Sequence, residues 1–306
     1  MGGIPDYAEL QVTSNFSFLR GASHPKELVW AAKELGHRAI AIADRNTLAG
    51  IVRAHSMAKE LDFRLVVGAR LVFDDAPSVL CFPRDYPAYA RLSTLLTVGK
   101  RRAEKGQCRL LRADLASYRE GQVLVALPAE PLDDAFIAHL RALQAMPEQL
   151  YLAAHPRYRG DDAARLRRLG AIADELGIPL VATNDVHYHA AERRPLQDVL
   201  TCIRESCTIH EAGYRLHPNA ERHLKPAAEM AELFRERPDA LARTLEIVDQ
   251  CRFSIDELKD IYSYPVDPVP DGCTPQQELE CLAWEDRKST RLNASHTDIS
   301  RMPSSA

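Results

Sequence analysis

With 306 residues, 46% of them hydrophobic, the chain can bury a sizeable core and is too apolar for wholesale disorder. Its formal charge of −4 argues against holding a nucleic acid by the whole surface, because backbone binding needs clustered Lys and Arg. The seven cysteines are odd in number, scattered and without a C-x-x-C pair, which excludes a disulfide scaffold or zinc ribbon and fits reduced thiols.

From about residue 7 to 190, short β-type apolar runs alternate with amphipathic helical patterns. Ser23 reads as the N-cap of a first helix, with Pro25 in its first turn and Glu27 early. Leu28, Ala31, Ala32 and Leu35 recur at helical spacing, and Gly36 closes the segment. Residues 39–43 follow as a buried strand ending at Asp44, and further strands are expected at 64–73, 79–82, 123–127, 150–154 and 179–183. Helical patterns fall near 49–61, 86–98, 132–145 and 161–175. Such alternation makes βα units and a mainly parallel sheet or barrel; periodicity does not choose between them. Beyond residue 190 the strand patterns stop, and helices are expected at 194–204, 227–235 and 238–251 with a turn at 253–258. Pro265, Pro268 and Pro270 mark 261–274 as an extended linker, after which 275–284 begins another helix. Residues 287–306 turn abruptly polar and serine-rich, so they are expected to be disordered, a foreign or frame-shifted end. The expected domains are therefore a barrel over 7–190, a helical extension over 191–260, a linker and the start of a further body over 261–286, and the tail.

No basic segment followed by an apolar run opens the chain, and no stretch nears the ~18 apolar residues of a membrane span. A cytoplasmic protein with no membrane partner is the expectation. Phosphate-cradling glycine loops and the nucleophile elbow G-x-S-x-G are missing too. The densest basic run, Lys100-Arg101-Arg102, follows a helix and reads as a solvated helix end; Glu192-Arg193-Arg194 reads as a surface salt-bridge cluster. Reactive groups of βα folds gather where strands end. Here those places hold Asp44-Arg45, Arg70, His155 and the run Asn184-Asp185-Val186-His187.

The opening run Tyr7-Ala8-Glu9-Leu10-Gln11-Val12-Thr13-Ser14-Asn15-Phe16-Ser17-Phe18-Leu19-Arg20-Gly21 resembles the first motif of a PHP (polymerase and histidinol phosphatase) domain. A second run, from Ala182-Thr183-Asn184-Asp185 through Arg193-Arg194-Pro195-Leu196-Gln197-Asp198 to Arg204-Glu205, is similar to a long motif of error-prone DnaE-type bacterial DNA polymerases of the DNA polymerase III alpha-subunit family. The resemblance spans about residues 7 to 286. It implies a distorted (β/α)7 barrel followed by a helical extension. It also implies that the metal ligands of active relatives have been replaced. Where those relatives carry histidines this chain has Gln11 and Thr13, where they carry aspartate it has Arg20, and at two strand ends it has Arg45 and Arg70.

Guanidinium repels a divalent cation at any workable pH, so Arg20, Arg45 and Arg70 are expected to pair instead with Asp44 and Asp185. Asp185 and His187 survive as a clear ligand pair, with Asp44 as a further candidate. They are too few for a multinuclear site. The choice is between a structural Asp and His that hold loops and a residual single-metal site. No cofactor is expected for the chain itself; Mg2+ belongs to the polymerase core that the resemblance implies elsewhere. The implied role is the amino-terminal PHP fragment of an error-prone polymerase in damage-tolerant translesion synthesis. Its partners would be the rest of that polymerase, DNA through the absent domains, and replication or repair proteins. The alternative is a stand-alone metal-dependent PHP phosphoesterase or exonuclease.

Overall fold

The computed structural model describes residues 6–146, 149–261, 269–270 and 272–293. Seven strands form one sheet in sequence order: β1 Ala8–Val12, β2 Ala39–Arg45, β3 Arg64–Leu71, β4 Val79–Pro83, β5 Gln122–Ala126, β6 Gln149–Ala154 and β7 Leu180–Ala182. Between them run α1 Pro25–Glu34, α2 Ile51–Glu60, α3 Tyr86–Arg101, α4 Arg112–Tyr118, α5 Asp134–Gln144 and α6 Asp162–Leu176. After β7 come α7 Arg194–Glu205, α8 Ile209–Ala212, α9 Ala227–Leu233, α10 Pro238–Gln250 and α11 Glu257–Ile261. The chain divides into two compact units at Glu257 and Leu258; the second contains α12, Pro275–Asn293.

Local chemistry accounts for the helix ends. Asp85 and Asp133 accept from the backbone N–H of Ala88 (2.9 Å) and Phe136 (3.0 Å), capping α3 and α5. Gly177, at φ 65°, lets the chain leave α6 in the left-handed conformation that other residues resist. The expected cap of α1 is corrected: His24, not Ser23, sits at the N-cap, and its N–H donates to the Glu27 carboxylate at 2.8 Å. Ser23 is buried and turned to His189, whose backbone N–H it accepts at 3.0 Å.

The sheet is mainly parallel, as the alternation predicts, but β4 runs antiparallel to both neighbours. The link from β3 to β4 is too short for a crossover, so the chain can only turn back on itself. Alternate residues along the strands enter two apolar clusters on opposite faces. Leu71, Cys81, Leu124, Leu152 and Leu180 join one, with helices α3, α5 and α6; Leu10, Val66, Phe82, Val125 and Tyr151 join the other, with α10. Gly68 has no room for a side chain, since a Cβ there would stand 2.4 Å from the Phe82 ring. The curl is closed at the carboxyl-terminal ends of the strands: Val12 and Val186 form a lone parallel bridge, with Thr13 N–H donating to Val186 O and Val186 N–H to Gln11 O, both at 2.8 Å.

Helix α4 was not expected from the sequence; its one buried apolar residue, Leu115, gives no period to detect. Arg102, just after α3, is fixed by Asp114 of α4 at 2.6 Å and 2.9 Å rather than free in solvent. Arg193 pairs with Glu27, and Arg194 with Asp198 and the carbonyls of His217 and Asn219, so these two arginines bind loops together. Helix α12 runs on through 287–293, past the point where the polar tail was expected to begin; residues 294–306 and most of the expected 261–274 linker lie outside the described residues. No described helix is long and apolar enough to cross a membrane.

Candidate functional site

The β1–β7 closure sets the geometry of the strand-end site. It places Gln11 and Asp185 side by side, and the Gln11 amide donates to Asp185 Oδ1 at 2.6 Å. Thr183, just past β7, donates its hydroxyl to Gln11 Oε1 at 2.9 Å, so the amide is held with its NH2 toward the carboxylate. Asp185 itself sits at φ 46°, a conformation a non-glycine residue adopts only when its surroundings over-determine it. Here both neighbours are fixed, Asn184 by two carbonyls of the 221–223 segment (His223 O at 2.7 Å, Glu221 O at 3.3 Å) and Val186 by β1.

Asp185 is buried and heavily paired. Arg222 donates to its Oδ2, and Arg70 lies 3.4 Å from its Oδ1. Burial pushes the carboxyl pKa upward, but the Arg222 and Arg70 charges more than reverse this, and the net result is well below the usual carboxylate range. His187 is mostly buried, its side chain 12% exposed. Its Nδ1 is 3.0 Å from the Arg20 carbonyl, so that nitrogen carries the proton, and Nε2 accepts from Arg222 at 3.2 Å. Burial holds its pKa below that of a free imidazole despite the Asp185 charge, and the ring is neutral. Arg222 is the residue that sequence reasoning missed. It arrives from a polar loop of the helical extension, carried in by a parallel bridge between Tyr188 and His223. No period marks it; the only signal was that Asp185 needed a cation.

The expected pairing of Asp44 with arginine is corrected. Asp44 accepts from the Ser14 N–H (2.8 Å), the Ser14 hydroxyl (2.7 Å) and the Ser17 hydroxyl (2.6 Å), and so fastens the 14–21 loop to the end of β2. Burial raises its pKa and these hydrogen bonds oppose the rise. Gly21 completes the loop, since a Cβ there would lie 2.2 Å from Ser14 O. Thr13 is buried beside the bridge and its side chain bonds no metal-ligand candidate.

Of the three expected arginines, only Arg70 reaches a carboxylate among the described residues. Arg20 and Arg45 have no hydrogen-bonded or ion-paired guanidinium partner among the described residues. Arg45 stands directly opposite Arg70 on adjacent strands, and its pKa is pulled down to about 10 by burial, then by Arg20 and Arg70. Like charges facing each other across a ladder are destabilising by roughly 0.2–1 kcal/mol. Arg45→Gln is therefore expected to leave stability unchanged or raise it by that amount in denaturant melts. A clear loss would mean that the guanidinium is held by a partner.

His155, after β6, is partly buried, its Nδ1 has no hydrogen-bond partner among the described residues, and burial pushes its pKa down to about 3 despite the nearby Asp185 charge. It also borders a cavity of about 320 Å3 between α6 and the α9 end, walled by Leu166, Leu169 and Phe234. Glu9 lies deeper on β1. It accepts from Tyr7 Oη (2.7 Å), Gln11 N–H (2.9 Å) and Asn184 N–H (3.3 Å), and burial lifts its pKa to about 7.

This donor set does not fit a multi-metal centre. Asp185 faces two guanidinium groups and an amide, Asp44 faces two serines, and the His187 protonated nitrogen faces a carbonyl. No group of three or more His, Cys, Asp or Glu able to hold a metal occurs among the described residues.

The family model for the PHP domain matches residues 9–165. An error-prone DNA polymerase of Rhodopseudomonas palustris is 53% identical over 289 residues, covering 92% of this chain and 26% of the relative. An error-prone DNA polymerase of Caulobacter vibrioides is 50% identical over 283 residues with the same coverages, and so is an error-prone DNA polymerase 1 of Agrobacterium fabrum over 282. The chain thus spans about a quarter of the length of the curated relatives it matches. A solved amidohydrolase from Chromobacterium violaceum is 14% identical, with a TM-score of 0.46 over 59% of this chain and 87% of that one.

Proposed function

The chain belongs to the PHP domain family, and we propose that it serves as the cytoplasmic amino-terminal module of an error-prone DNA polymerase, structural in its own role. The carrying observation is Asp185, whose oxygens are taken by Arg222, Arg70 and Gln11 where a metal centre would need them open. A cation entering this pocket would have to displace Arg222 and sit beside Arg45 and Arg20, at a Coulomb cost a few surviving donors do not offset. Polymerisation uses two metal ions on acidic residues. That chemistry, with Mg2+, would reside in the part of the relatives' length this chain does not span. DNA would be contacted through the same part, and the partners of this module are the rest of the polymerase and replication or repair proteins that join it.

Elemental analysis after dialysis against zinc, manganese and iron is expected to find less than one metal per chain. Two or more per chain would favour the competing phosphoesterase reading. The same reading would gain if Gln11→His with Thr13→His conferred manganese-dependent phosphoesterase turnover. None is expected, because Arg45 and Arg70 remain.

A further inference from the structure

Helix α7 presents its polar side to its own fold and its apolar side to solvent. Gln197 and Thr201, one turn apart, are buried, and the Thr201 hydroxyl donates to Gln197 O at 3.0 Å. Leu196, Val199 and Ile203, spaced as a helical stripe, are 41%, 52% and 57% exposed. A surface helix normally does the reverse, and a contiguous exposed apolar stripe marks an interaction surface. The stripe continues at both sides of its carboxyl end. Arg204 donates to Leu19 O at 2.8 Å, which stands the tip of the 14–21 loop, with Phe18 82% exposed, beside it. Ile209 lies on the far side of a groove of about 410 Å3 that Val199, Cys202, Ile203 and Cys207 also line.

We propose that this face is the seat of a further segment of the same polymerase chain, apolar at its centre and acidic at the edge that meets Arg20. The inference rests on the polymerase reading above. Relatives at least 50% identical across 92% of these residues carry about three times as much chain again, so the face would have a covalently attached partner at high effective concentration. Charge sets what that segment should carry at its edge. The Arg20 guanidinium is unpaired among the described residues; burial and then the Arg204 and Arg70 charges lower its pKa, and Glu205 offsets them only in part. A carboxylate on the attached segment would satisfy the Arg20 charge.

The test compares the 306-residue chain with a chimera in which it replaces the matching amino-terminal part of the Rhodopseudomonas palustris relative. Amide hydrogen exchange across 194–209 is expected to slow by about tenfold or more in the chimera. Val199→Glu with Ile203→Glu should abolish that protection and lower the chimera's melting temperature, while the 306-residue chain melts as before. Equal exchange in the two proteins would overturn the proposal. So would a concentration-dependent dimer of the shorter chain that the double substitution dissolves. Primer extension is read separately: a protected α7 in a chimera that does not extend primers supports the docking face and counts against the polymerase reading.

Discussion

Asp185→Ala is expected to destabilise the amino-terminal unit by about 3–5 kcal/mol, the usual cost of removing one partner from a buried ion pair. The size follows from what is left behind. Arg222, Arg70 and the Gln11 amide would keep their donors aimed at an empty acceptor, in a place where the Asp185 side chain is 8% exposed and Arg70 19%. Asp185→Asn should cost less, because it keeps an oxygen for Gln11 while losing the charge. The comparison is Asp6→Ala, whose pair with Arg38 is exposed on both sides and belongs to the class worth ~0–1 kcal/mol. Urea melts of the three variants at neutral pH decide it. A loss at Asp185 no larger than at Asp6 would mean that water already screens the cluster. The depressed Asp185 pKa also implies that its contribution is present above the ordinary carboxylate range and is lost as pH falls through the folded value.

The backbone of this result was legible in the sequence and its charge partners were not. Alternating apolar runs and helical periods place β2, α1 and the strand-end residues Asp44, Arg70 and Asp185 correctly, because such patterns depend on neighbours a few positions apart. Arg222 and Ser14 act on carboxylates 37 and 30 positions away, and no local period records such a meeting. Reading three arginines against two aspartates was sound chemistry for Asp185. It failed for Asp44, because the serines of the adjacent loop reach that carboxylate first and leave Arg45 facing Arg70. The reversal of β4 was readable in principle from the short link before it. The orientation of α7 was not: its apolar stripe reads as an ordinary core face until burial shows Gln197 and Thr201 inside.

The pH dependence of stability should carry the mark of two opposed buried groups, and Glu9→Gln separates them. The folded pKa of Glu9, about 7, lies above its ordinary 4.5. Its contribution is therefore fully present below pH 4.5 and is lost as pH rises through 7, a difference of about 3 kcal/mol at ~1.4 kcal/mol per unit. The cause is the enclosed strand β1, where an ionised Glu9 has hydrogen bonds but no cation and also feels Asp185. His155 works in the other direction. With a folded pKa of about 3 against 6.5, its contribution is present above pH 6.5 and is lost as pH falls toward 3, by up to about 5 kcal/mol. His217, also pushed down to about 3 by burial and Arg222, adds to the acid loss. The wild-type curve should thus peak near pH 6–7, falling on the acid side through the histidines and on the alkaline side through Glu9. Glutamine copies protonated Glu9, keeping an oxygen for the Gln11 N–H and an N–H for the Tyr7 oxygen. Glu9→Gln should match wild type at pH 4.5, exceed it by about 3 kcal/mol at pH 8.5, and move the optimum to higher pH. Denaturant melts of both proteins across that range supply the measurement. Parallel curves would place the Glu9 pKa in its ordinary range and would mean that water reaches its carboxyl in the folded chain.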